Sequence, residues 1–184
     1  MMTTFGFSIF VACTPSGGIG YKGQLPWVLQ EDLQRFRRIT TITKDPAKEN
    51  VVIMGRKTYE SLPIRPLERR RNIVLSRSGQ DIRGVETYNT LDAALSVVMR
   101  DGSIEHAFVI GGQDLFDEAL QRPECKHAYV TIVDMETPCD RVFPLSDIIA
   151  GNEWSLSDVE EGMRSRNGIG YGFYKFERIV QPKI

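Results

Sequence analysis

The residues with the most chemistry to offer lie in Leu25–Phe36, Leu-Pro-Trp-Val-Leu-Gln-Glu-Asp-Leu-Gln-Arg-Phe, where one carboxylate is set into an apolar stripe directly after a Gly-rich loop. If the stretch after Pro26-Trp27 is helical, Asp32 and Phe36 lie four apart, and Leu33, Phe36 and Ile39 continue the same face at spacings of three. Glu31, Arg35 and Arg38 then share another face, where a solvated Glu31–Arg35 pair is expected. An ionised carboxylate on the buried side must find a donor or titrate at higher pH. A binding site for a heterocycle with N–H donors would use both properties. The alternative is that Asp32 caps amides at the start of the helix.

Four other stretches carry candidate chemistry. Val51-Val52-Ile53-Met54-Gly55 reads as a short buried strand passing into a helix at Arg56-Lys57-Thr58-Tyr59-Glu60-Ser61-Leu62, a junction whose free amides, cations and hydroxyl suit an anion. Ser76-Arg77-Ser78-Gly79 places a second hydroxyl and guanidinium after strand Ile73–Leu75, and ligands of open parallel sheets gather outside such strand ends. Arg65-Pro66-Leu67-Glu68-Arg69-Arg70-Arg71 is the most basic run; it reads equally as a solvated loop or as a carboxylate clamp. Val109-Ile110-Gly111-Gly112 ends a buried strand in two glycines, and a tight turn explains one glycine better than two.

These groups need strands and helices to hold them. Phe5–Cys13 is a near-continuous apolar run, as in a strand buried on both faces. Pro15–Gly23 carries four glycines but no Lys-Ser/Thr phosphate-loop ending, which predicts a mobile loop rather than a phosphate cradle. Lys44–Asn50 is a polar, proline-broken loop. Val85–Tyr88 reads as a short strand, and Thr90 as the N-cap of a helix over Leu91–Arg100 that stops at Asp101-Gly102. A strand at His106–Ile110 leads into a helix from Gln113, with Leu115, Phe116, Ala119 and Leu120 inward. Ala128–Val133 is another strand, and Trp154–Val159 with Ile169–Ile179 reads as a terminal antiparallel hairpin. Alternation of this kind predicts an α/β sheet, mostly parallel.

At 184 residues the chain has one domain's length and needs no covalent staples. A net charge of −1 gives no overall attraction to nucleic acid or to a membrane surface. Cys13, Cys125 and Cys139 are odd in number and far apart, which argues against a disulfide framework or a zinc site. His106 and His127 stand alone in sequence and read as structural or exposed rather than metal-binding. With no targeting segment and no apolar run of spanning length, a cytoplasmic location is expected.

Leu25-Pro26-Trp27 followed by Asp32-Leu33-x-x-Phe36 and preceded by Gly18-Ile19-Gly20, together with Met54–Thr58, Arg65-Pro66-Leu67-x-x-Arg70 and Val109–Gly112, resembles dihydrofolate reductase over nearly the whole chain. The resemblance implies a single domain over residues 1–184. Its fold would be three-layered, with a central, mostly parallel sheet and a C-terminal antiparallel hairpin. It implies NADPH as cofactor, dihydrofolate as substrate, antifolates as inhibitors, and a possible link to thymidylate synthase.

By the same resemblance Asp32 holds the pterin, Thr131 hydrogen-bonds Asp32, and Arg70 pairs the α-carboxylate of the glutamate tail. Val11, Ala12, Leu33, Phe36, Ser61, Leu62, Leu67, Ile110 and Phe116 would surround the substrate. Ala12, Ile19, Gly20 and Leu25 would line the nicotinamide, beneath a loop that closes over it. Gly55, Lys57 and Thr58 would take the pyrophosphate, and Arg56, Leu75, Ser76 and Arg77 would form the 2′-phosphate pocket. Ile110, Gly111, Gly112, Gln113, Asp114, Leu115 and Phe116 would complete the cofactor site around a cis Gly-Gly peptide. Phe116 and Arg141 depart from the family's usual Tyr and Thr, which puts a polar contact and some loop contacts in doubt. Two other readings are a pyrimidine reductase of riboflavin synthesis and a non-catalytic module that binds RNA through Arg65–Arg71.

Overall fold

The computed structural model describes residues 5–179. Ten strands and five helices follow in the order β1 Phe7–Cys13, β2 Gly18–Gly20, α1 Gln30–Thr41, β3 Glu49–Gly55, α2 Arg56–Ser61, β4 Arg71–Leu75, β5 Glu86–Tyr88, α3 Leu91–Val98, β6 Ile104–Val109, α4 Gln113–Leu120, β7 Cys125–Asp134, β8 Arg141–Val142, α5 Leu145–Ala150, β9 Trp154–Arg164 and β10 Gly170–Arg178. Eight of the strands form one sheet in the order β5-β4-β3-β6-β1-β7-β10-β9. The pairs from β5 through β7 are parallel, while β10 runs antiparallel to both β7 and β9. This is the mixed sheet and terminal hairpin expected above.

The apolar run of β1 is buried because it lies mid-sheet with covered faces. Phe7, Ile9, Val11 and Cys13 join a core built with Leu91, Ala94 and Leu95 of α3, Leu115 and Ala119 of α4, and Ile148 of α5. On the opposite face Val52, Met54, Val74 and Phe108 pack with Tyr59 of α2 and Ile39 of α1. A third cluster, Trp27, Leu29, Val133 and Tyr171, closes the end where the chain enters α1. Three layers result, helix on sheet on helix. The two edges are blunted differently. β5 is only three residues long, whereas the long β9 carries Asp158, Glu160 and Glu161, charges that discourage strand addition.

Two expectations change. The glycine-rich loop is not free: Gly18–Gly20 pairs with Arg141–Val142 as a separate two-stranded ribbon. Gly17 donates to the Thr14 carbonyl, and Phe143 donates to the Gly17 carbonyl at 2.7 Å. Nor do the histidines stand alone. β6 and β7 flank β1, so Ser8 Oγ lies 2.8 Å from His106 Nε2 and 3.4 Å from His127 Nδ1. Thr90 does cap α3, accepting from the Ala93 amide. No helix among the described residues is long and apolar enough to cross a membrane.

Candidate active site

Because β1, β3, β4 and β6 are parallel neighbours, their carboxyl ends at Cys13, Gly55, Leu75 and Val109 open on one edge of the sheet. Asp32 faces that edge from the first turn of α1 and is only 8% exposed. It is not a cap: the N-cap is Leu29, with no side-chain cap bond. Instead Thr131 Oγ1, from β7, donates to Asp32 Oδ1 at 2.5 Å. β-register puts Thr131 opposite Ala12, so the acid lies near the carboxyl end of β1 and the middle of β7 together. Burial pushes the Asp32 carboxyl above the usual carboxylate range, against the Thr131 hydrogen bond and the charge of Arg35, which both pull it down. Thr131 occupies one of about four carboxylate lone-pair positions, leaving the rest for a ligand's donors. Burial pushes the nearby Cys13 thiol up to about 12, helped by Asp32's charge, so it stays neutral.

The inward face of α1 is Asp32, Arg35, Phe36, Ile39 and Thr40, not the stripe through Leu33. Leu33 is 47% exposed, together with Leu25 and Val28. Arg35, placed by its spacing on a solvated face, is in fact buried with its guanidinium over the Phe173, Phe10 and Tyr129 rings. The cause is register: residues 32, 35, 36, 39 and 40 follow the three-and-four repeat that a helix presents to a sheet. Arg35 is thus a site residue that the sequence reading missed, though its position three after Asp32 was the available signal. Glu31 accepts from the Arg166 amide instead of pairing with Arg35.

At the far end of α1, Arg70 Nη1 donates to Thr40 Oγ1 at 2.7 Å and Arg70 Nε donates to the Glu68 carbonyl at 3.0 Å. Its guanidinium rests on the Phe36 ring. Burial lowers its pKa to about 10, and Arg37 and Arg69 add repulsion against the pull of Glu68. A carboxylate brought there would relieve that crowding. The neighbouring arginines are otherwise engaged or turned: Arg71 pairs with Glu86 and Asp101, and Arg69 has a positive φ of 59°. Arg65 donates to the Glu60 and Leu62 carbonyls. The basic run is therefore dispersed rather than one face for RNA. Leu62 and Leu67 pack beneath it on the α2 side of the sheet, with Ile110.

The phosphate candidates gather at the ends of β3, β4 and β6. Gly55 pairs with Leu75 in register, so Arg56 and Ser76 leave adjoining strands side by side. Ser76 Oγ lies 3.1 Å from Ser78 Oγ, and exposed Arg77 reaches Asp114 at 3.4 Å. Arg56 is held loosely by Glu60 at 3.5 Å. The Gly111-Gly112 peptide is cis, and the Gly55 amide donates to the Gly111 carbonyl at 2.9 Å. A Cβ on Gly111 would come within 3.3 Å of the Phe116 ring, and one on Gly112 within 3.5 Å of Thr58 Oγ1. Gly111, with a φ of +120°, is the one whose backbone and close approach require glycine; the contact at Gly112 is an ordinary one. Gln113 Oε1 accepts from the Val142 amide, tying α4 to the ribbon that carries Ile19 and Gly20. Val11, Leu115 and Phe116 point their side chains into the main core, so Val11 and Leu115 can offer a ligand chiefly backbone. Phe116 stands edge-on to Phe143, a packing that asks for no hydroxyl. Ser61 Oγ donates to the Thr58 carbonyl, and Lys57 is exposed.

With that geometry in view, the chain matches the dihydrofolate reductase family over residues 6–178. The chain belongs to the dihydrofolate reductase family. It is similar to the Drosophila melanogaster dihydrofolate reductase, 34% identical over 94% of this chain and 97% of that protein. It is also similar to bifunctional dihydrofolate reductase-thymidylate synthase 1 of Arabidopsis thaliana, 43% identical, and to that of Daucus carota, 41% identical. The chain spans about a third of those bifunctional relatives, 34% of each. Family match and relatives give the pyrimidine-reductase reading no support.

Proposed function

We propose that this chain, as a single dihydrofolate reductase domain, reduces 7,8-dihydrofolate to 5,6,7,8-tetrahydrofolate with NADPH. The observation that carries the reading is the buried Asp32 held by Thr131 at 2.5 Å, an ionisable acceptor with open lone pairs at the carboxyl ends of the strands. Bound NADPH supplies the hydride for C6. Asp32 would accept from the 2-amino group and N3 of the pterin, fixing the ring so that its acceptor carbon C6 can be aligned with the hydride donor; alignment of this sort is the protein's main contribution to such a transfer. Because the carboxylate lies across the ring from N5, it promotes protonation there through water rather than by contact. Arg70 donates to the α-carboxylate of the tail, and Leu33, Phe36, Leu62 and Leu67 flank the ring system.

For the cofactor, the donor set at the strand ends suits a phosphomonoester: Arg56 and Arg77 offer guanidiniums and Ser76 and Ser78 hydroxyls, the groups that bind phosphate oxygens in parallel pairs. Thr58, Gly55, Lys57 and the Gly111–Asp114 stretch would take the pyrophosphate, and Ala12, Ile19, Gly20 and Leu25 the nicotinamide. We extend to this chain the association with thymidylate synthase that the relatives' names carry, and a cytosolic location consistent with its three free cysteines. Co-purification with thymidylate synthase activity tests the first. The reaction itself is tested by the loss of reduced-nicotinamide absorbance on mixing purified protein with NADPH. Loss that requires dihydrofolate is expected; NADPH binding without turnover would leave a nucleotide-binding fold with another substrate.

A further inference from the structure

Arg35 is a buried cation that the reaction as proposed does not use. It is 9% exposed, and its Nη1 is buried without a hydrogen-bond partner. The guanidinium lies 4.5 Å from the centre of the Phe173 ring, 5.5 Å from Phe10 and 5.8 Å from Tyr129. A guanidinium taken from water with a donor unmet costs several kcal/mol, which an apolar side chain at the same place would avoid. The ring faces return part of that by cation–π attraction, which is stronger away from water. What remains is offset by an opposite charge, and the nearest buried one is Asp32, one helical turn away.

We propose that Arg35 is a positioning residue for the acid: caged by Phe10, Tyr129 and Phe173 one turn behind Asp32, its guanidinium holds the Asp32 carboxylate in its charged form without occupying the lone pairs that a ligand needs. A direct bidentate Arg–Asp pair would spend those lone pairs on the protein itself. Acting through space, the cage leaves them free, and Thr131 alone takes one. The other groups facing this centre are few. Arg38 of α1 repels Arg35, while Glu160 of β9 favours its charge; Lys175 of β10 lies over the Tyr129 ring at 5.8 Å, Thr131 of β7 faces Asp32, and the Cys13 thiol of β1 stays protonated beside it. Arg38 and Lys175 are cations too, but the one positive charge acting on Asp32 is that of Arg35.

The test is the titration of the Asp32 carboxyl carbon by NMR in the ligand-free protein, in the wild type, Arg35→Met and Arg35→Lys. Removing an opposite charge raises a carboxyl, so Arg35→Met should move the midpoint up, with Arg35→Lys close to wild type. An unmoved midpoint in folded Arg35→Met, or an equal shift in both variants, overturns the proposal. Should Arg35→Met fail to fold, Arg35→Gln, which keeps a planar group among the rings, takes its place with the same expected shift. The role in reduction rests on the function proposed above and is read separately: the acid limb of kcat/KM for dihydrofolate should follow the NMR shift. A shifted carboxyl with an unshifted limb would sink the assignment of Asp32 to the reaction while leaving the Arg35–Asp32 coupling standing.

Discussion

At the scale of single residues, Asp32 is costly to the fold in the form that would bind a ligand. Its carboxyl is raised in the folded protein even with Arg35 and Thr131 pulling the other way. A carboxyl raised by folding stabilises the native state fully below its unfolded value and loses that contribution as pH rises through the folded value. At pH 7, above its unfolded value, the acid is therefore a net expense. Asp32→Asn should unfold at higher temperature than wild type at pH 7, by roughly 2–4 °C for each kcal/mol relieved, and the two melting curves should converge in acid. The same variant should lose most turnover at neutral pH and regain it as the pH falls and preprotonated substrate appears. Unchanged turnover at pH 7 would remove Asp32 from the mechanism. Thr131→Val keeps shape and deletes the donor at 2.5 Å. A hydrogen bond to a charged group contributes about 1.5–3 kcal/mol, so dihydrofolate affinity should fall about tenfold or more, measured by fluorescence titration.

At the scale of elements, the ribbon of β2 and β8 decides where Ile19 and Gly20 stand. It is pinned through Gly17, whose φ is +88° and whose missing Cβ would lie 2.3 Å from the Phe143 carbonyl oxygen. Backbone cannot yield there as a flexible side chain would. Gly17→Ala should separate the ribbon and raise the Kd for NADPH about tenfold, a change of about 1.4 kcal/mol, with Asp32 and Thr131 undisturbed. Gly23→Ala is the control, because Gly23 also has a positive φ but nothing within 4 Å; it should carry only the left-handed backbone cost, about 1–2 kcal/mol in stability. Equal effects on NADPH would show that the ribbon's seat on Phe143 does not matter for the cofactor.

At the scale of the whole molecule, the sheet gathers His106 and His127 around Ser8, far from the acid in sequence and on the neighbouring strands of β1. Burial pushes His106 down to about 4, with His127 and Lys175 adding repulsion against the pull of Glu105. A histidine depressed by folding gives stability that is present above its unfolded value, 6.5, and is lost as pH falls through about 4. The loss should reach roughly 3 kcal/mol when protonation is complete. Urea midpoints at pH 7, 5 and 4 should fall steeply for wild type and less for His106→Gln, which cannot take up the proton. Parallel slopes for the two proteins would exclude His106 from acid unfolding.

Local chemistry in the chain determined much of this. Apolar runs marked β1, β3, β6 and β7, and Thr90 marked the start of α3, because each is decided by a few adjacent residues; the cis peptide at the two glycines after Ile110 came only from the resemblance. The resemblance then assigned Asp32, Thr131 and Arg70, where periodicity alone left Asp32 between a cap and a buried acceptor and Thr131 an ordinary strand residue. Only the tertiary structure decided the rest. Arg35 is buried because β1, β7 and β10 bring three aromatic rings under one turn of α1, and no spacing within the helix reports rings from three other strands. Arg70 is singled out from Arg69 and Arg71 by which guanidinium finds Thr40 and which finds Glu86 and Asp101. His106 and His127 meet at Ser8 because parallel pairing sets β1 between two strands that follow it far along the chain. Helical phase and strand register convert linear order into neighbours, and a charge takes its meaning from those neighbours.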